Sequence, residues 1–154
     1  MQMIKAIKIV ELVIFLVSTS TLCYAGAEEQ KSSTSLVQDC SGYSQSEKKD
    51  CLAQNAIETE KTLGNAERRI LSDFAKWDES PQFVSKARLA FAQSAKAFVL
   101  FRNAQCAYTS ALAGGSAGNA HEILRLTCVA ELNRWRTKQL LDGIANLPLK
   151  KGDR

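Results

Sequence analysis

At 154 residues and 45% hydrophobic, the chain has room for one modest domain with its own core. Its net charge of +4 is spread along the sequence, not gathered into a basic stripe with interleaved aromatics, which argues against nucleic acid as a partner. With one histidine and no C-x-x-C pair it also lacks a usual zinc set, and no metal or cofactor is implied.

The N-terminus opens with Lys5 and Lys8, then an apolar run through Val17 broken only by Glu11, then small residues leading to Ala25-Gly26-Ala27. Residues 1–27 therefore read as a secretory signal peptide, because the run is too short to span a bilayer and ends at an A-x-A site. Cleavage after Ala27 removes Cys23 and a net charge of +1, leaving about +3 and four cysteines: Cys40, Cys51, Cys106 and Cys128. An even set in an exported chain favours two disulfides and a periplasmic or secreted location.

Residues 28–39 are polar and serine-rich and read as a flexible lead-in. From about Ser46 the pattern turns helical. Leu52, Ala56, Leu63, Ala66, Ile70, Phe74 and Trp77 fall on one face at about 100° per residue. Gly64 interrupts that helix at an expected cost of about 0.5–1 kcal/mol relative to alanine. Ser80-Pro81 marks the next start, with serine as cap and proline in the first helical position. The second helix runs to about Ala113, ahead of Gly114-Gly115. Its apolar stripe is Val84, Ala87, Phe91, Ser94, Phe98, Phe101, Gln105, Tyr108 and Leu112. A third helix spans about Asn119 to Asn146 and is apolar on two sides. Leu124, Cys128, Leu132 and Trp135 form one, and Ile123, Leu126, Ala130, Leu141 and Ile144 the other. Such a helix needs two neighbours, so it should pack against both of the others. The domain then covers 40–147, and 148–154 read as a flexible tail.

The fold class is all-α: a three-helix antiparallel bundle, or helical hairpins, stapled by two disulfides. Cys106 and Cys128 are equidistant from Ala117, the middle of the glycine-rich hinge, and so lie level in an antiparallel hairpin. A bridge between them would clamp the second and third helices and contribute about 3 kcal/mol. Cys40 would then pair with Cys51. The other two connectivities remain open on sequence alone.

Three segments carry a family resemblance: FVLFRNAQC (Phe98–Cys106), GGS (Gly114–Ser116) and CVAELNRWRTKQL (Cys128–Leu140). Together they resemble the LprI lysozyme-inhibitor family, over residues 40–141, with Cys40 and Cys51 fitting its N-terminal cysteine pair. Phe98 stands where that family usually carries tryptophan, and Asn103 where it carries aspartate. The resemblance implies an exported, helical, disulfide-bonded domain, and it brings lysozyme inhibition as the leading functional expectation.

Four residues are candidates for partner contact. Ser116 and Asn119 belong to the Gly114–Asn119 loop, which can enter an enzyme cleft and offer a hydroxyl to its catalytic carboxylates. The plainer reading is that the glycines reverse the chain and Ser116 helps cap the third helix. Arg102 lies about 40° from Phe98 around its helix, inside the apolar stripe. It either reaches a partner's carboxylate or is paired inside the bundle, with Glu131 or another third-helix carboxylate as its mate. Trp135 is either core or an interface anchor. His121-Glu122 lacks the second histidine of a metalloprotease helix. With no nucleophile and base, acid pair or metal cluster, the chain reads as an interaction protein and not an enzyme. The expected partner is a lysozyme or another envelope protein, and the alternative is a non-inhibitory accessory or structural factor. A charge of about +3 gives no long-range steering toward the basic lysozymes, so docking there would rely on local acidic residues.

Overall fold

The computed structural model of the chain describes residues 38–116 and 118–152. The segment expected to be a signal peptide, residues 28–37 of the expected lead-in and Ala117 lie outside these. Three helices follow in order: α1 (Gln45–Lys76), α2 (Pro81–Ala111) and α3 (Ala120–Ile144). The only strand-like feature among the described residues is an isolated bridge between Trp77 and Leu149. The all-α expectation holds, and so do both local disulfides: Cys40–Cys51 and Cys106–Cys128, with Cα atoms 5.9 and 5.5 Å apart.

The start of α1 lies a residue before the expected one. Ser44 precedes the helix, and the Glu47 carboxylate accepts from its N–H at 3.2 Å and its hydroxyl at 2.6 Å. This reaches back over the first turn in the manner of a capping box and places negative charge where the helix dipole favours it. At α2, Ser80 occupies the cap position and Pro81 begins the helix. The Ser80 hydroxyl, however, is buried without a partner, so the expected side-chain cap is not made. Its carbonyl still accepts from Phe83 and Val84 N–H. Trp77, assigned to the α1 stripe from its spacing, is the extended residue that ends α1.

As its two apolar sides require, α3 packs along both α1 and α2, which themselves meet only briefly. The core has two apolar clusters. One, near the disulfides, gathers Cys40, Leu52, Ala56 and Leu126. The other, nearer the α1–α2 corner, gathers Leu63, Ile70, Phe98 and Leu140, with Phe74 and Phe91 edge to face alongside. Burying each large side chain there contributes about 1.5–3 kcal/mol.

A polar layer lies between the clusters. Fully buried Asn133 accepts from Arg102 Nη1 at 2.7 Å and donates to Thr59 Oγ1 at 3.4 Å. Arg102 and Arg136 both lie over the Phe98 ring, at 6.0 and 5.6 Å from its centroid. A charge inside a bundle needs such partners, and these hold it in one geometry.

Two expectations are corrected. On α2, only Phe98, Arg102 and Cys106 are buried, while Phe101, Tyr108 and Leu112 of the expected stripe face outward. The stripe followed a seven-residue repeat, which drifts about 20° per heptad on a straight α-helix, so its later members leave the core line. The expected flexible tail is tied down for part of its length. Asp78 N–H donates to Pro148 O, and Lys150 N–H donates to Lys76 O, each at 2.9 Å.

Candidate functional site

Gly114, Gly115, Ser116 and Gly118 of the α2–α3 connection are all exposed. The last turn of α2 tightens, with Leu112 N–H bonded to Thr109 O and Gly114 N–H to Ala111 O. Gly114 then takes φ 57° and Gly118 φ 76°, left-handed values that side-chain-bearing residues rarely adopt. Below the loop the hairpin is fastened twice. Ser110 Oγ donates to His121 O at 3.0 Å, and His121 Nδ1 lies 3.0 Å from Ser110 O. A carbonyl only accepts, so Nδ1 carries the ring proton there. One turn further down is the Cys106–Cys128 disulfide.

The loop does not stand alone. Asn119 Nδ2 donates to Gln45 O at 3.5 Å, bringing the α1 entry beside the hinge. This end of the bundle thus gathers Gly114, Ser116, Gly118 and Asn119 with Tyr43, Ser44 and Glu47. Ser116 is exposed, and its N–H donates to Ala113 O. Tyr43 is exposed as well.

Three carboxylates here are held ionised. Hydrogen bonds from Ser41 lower the Asp39 pKa, those from Ser44 lower Glu47, and the Arg125 guanidinium lowers Glu122, with Arg125 Nε 2.9 Å away. Asp50 lies one turn further along α1, 3.4 Å from Lys49. Four carboxylates stand against Lys48, Lys49 and Arg125, a local excess of negative charge on a chain that is positive overall.

The four candidates therefore separate. Ser116 and Asn119 share the loop end. Arg102 is buried, 7% exposed, and its partners are Asn133 on α3 and Glu60 on α1 at 3.4 Å. The expected mate Glu131 is exposed and does not pair with it. Arg102 thus builds the core and presents nothing to a partner. Trp135 is 54% exposed on the outer side of α3, sixteen residues and about 24 Å of helix from Asn119. It belongs to a different surface. Sequence reasoning missed Glu47 and Glu122 as companions of the loop. Their first-turn positions are visible in the sequence, but the Asn119–Gln45 contact that gathers them is not.

No helix among the described residues is long and apolar enough to cross a membrane. Comparison with curated proteins and with solved structures finds no match. The model of the family described as lysozyme inhibitor LprI matches residues 38–140, a span that takes in α1, α2, most of α3 and both disulfides. This helical domain, closed by its two staples, belongs to the LprI lysozyme inhibitor family.

Proposed function

We propose that the protein is an exported inhibitor of a lysozyme, periplasmic or secreted, that blocks the enzyme's cleft with the Gly114–Asn119 loop and the adjoining ends of α1 and α3. The observation that carries this reading is the juxtaposition of a clamped, exposed loop with a local excess of carboxylates on an otherwise basic chain. A glycosidase needs two acidic groups open to its sugar, so a narrow loop seated between them stops the reaction without any chemistry of its own. Ser116 offers a hydroxyl small enough to enter and able to donate to either carboxylate. Asp39, Glu47 and Glu122 supply what net charge does not, a local attraction for a basic enzyme around the cleft mouth.

Membership of the family supports the partner class, and the disulfides support an oxidising compartment. The test is a cell-wall lysis assay with the oxidised protein titrated against several lysozyme types at physiological and low salt. Saturable loss of lysis near stoichiometry is expected, stronger at low salt. Ser116→Trp should weaken inhibition at least tenfold with an unchanged helical spectrum. Undiminished lysis with every lysozyme overturns the reading, and a fully active Ser116→Trp variant overturns the loop as its site.

A further inference from the structure

Six of the large apolar side chains that stand exposed are on α2, with Leu112 just past its end, and they are not scattered. From Ala97 to Leu112 the only charged residue is Arg102, which is buried. The outer face of that stretch shows Leu100, Phe101, Tyr108 and Leu112, each more than half exposed. Beside it an open groove of about 370 Å³ runs between α2 and α3, lined by Gln105, Thr109, Leu124, Thr127, Glu131 and Leu132. Phe101 lies four residues from Gln105, and Trp135 four from Glu131, so both flank the same groove. Cys106 and Cys128 set the two helices level, which brings Phe101 and Trp135 within about one turn in height.

We infer that this face is the interface with a second copy of the chain, α2 lying antiparallel to the partner's α2 about a two-fold axis beside Ala104. Area is the first argument. Whole aromatic side chains bury about 150–250 Å² each, so the exposed parts of Leu100, Phe101, Tyr108, Leu112, Leu124 and Trp135 offer on the order of 600 Å². That approaches the ~800 Å² per partner of a stable interface and lies at the upper end of what monomers leave open. Charge is the second. On α2 the cations Lys86, Arg88 and Lys96 all precede the patch, and across the groove Arg125 and Lys138 are paired with Glu122 and Asp142, an arrangement that differs from the free basic flank by which an interfacial helix holds anionic lipid.

Pattern is the third. Ala97, Phe101, Ala104, Tyr108 and Ala111 repeat at alternating four and three residues along the exposed side, a spacing that fits another helix. Reversal about the point between Ala104 and Gln105 sets Phe101 opposite Tyr108 of the other copy, twice, as an isologous contact requires. The Gly114–Asn119 loops then fall at opposite ends of the paired helices, so the inference does not depend on the inhibitor reading.

Sedimentation velocity of the full oxidised chain, over a series reaching about 100 µM, should show a species of twice the chain mass. Phe101→Glu combined with Tyr108→Glu should weaken association more than about tenfold with unchanged helicity, since both side chains are central to the patch. Ala104→Cys should link two copies on oxidation, and Lys86→Cys, distant from the axis on the same helix, should not. A wild-type monomer throughout overturns the inference, whether or not it binds anionic vesicles. So does a dimer that survives the double variant, or equal cross-linking at both cysteines.

Discussion

The bundle's two halves are held by different means. Around the hinge, the apolar cluster is small: Cys40, Leu52, Ala56 and Leu126, with two disulfides close by. Toward the α1–α2 corner no disulfide is present, and the cluster is made of Leu63, Ile70, Phe98 and Leu140 with aromatic neighbours. Covalent closure stands where side-chain volume is least, as in small disulfide-bonded domains whose cores are thin. The half proposed to meet an enzyme is thus rigid because it is stapled, and the other half because it is packed.

Phe98→Ala strikes the packed half hardest. Phe98 is 7% exposed, touches both guanidinium groups of the polar layer and belongs to the larger cluster. Its truncation should cost about 3–5 kcal/mol, read as a lowered denaturant midpoint. A loss below about 1 kcal/mol would mean that the two arginines, not the ring, organise this layer.

Replacing Cys106 and Cys128 together by serine tests the stapled half. The bridge closes 22 residues, and its loss should cost about 3 kcal/mol on chain entropy. Hydrogen exchange should show where: amides of Ala107–Ala111 and Ala120–Leu126 should lose protection well before those of Leu63–Ile70. Uniform loss along all three helices would merge the two halves into one cooperative unit.

Much of this was legible in the sequence because its causes are local. Pro81, the Gly114-Gly115 pair and the spacing of Leu52, Leu63 and Ile70 mark helices without reference to a partner. Cysteines equidistant from a hinge favour their own pairing, though sequence alone leaves two other connectivities open. The parts that were not legible depend on what lies across the bundle. Arg102 could be placed in the apolar stripe, but its partners Asn133 and Glu60 come from 31 and 42 residues away. The outward turn of Phe101, Tyr108 and Leu112 follows from burial tracking the four-residue row Phe98–Arg102–Cys106 instead of the heptad seam. Pro148 and Lys150 meet the end of α1 only through backbone groups, which leave no side-chain signature. The candidate site divides the same way. Ser116 and Asn119 follow from the hinge motif, while Glu47 joins them through a contact spanning 74 residues.

The smallest expected effect lies in α1, beside Leu63 and so at the edge of the packed half. Gly64 is helical, and a Cβ built there would meet only the flexible end of Arg68, at 3.6 Å. Ordinary contact distance means that alanine fits without displacing the backbone. The gain then comes from the unfolded chain, in which glycine explores conformations that alanine does not. Gly64→Ala should therefore raise stability by about 0.5–1 kcal/mol with unchanged inhibition, if inhibition resides at the hinge. Combined with the cysteine pair replacement, it should add its gain in full, because Gly64 and the staple share no neighbours. A combined effect that departs from the sum by more than about 0.5 kcal/mol would show that stapled and packed halves communicate through α1.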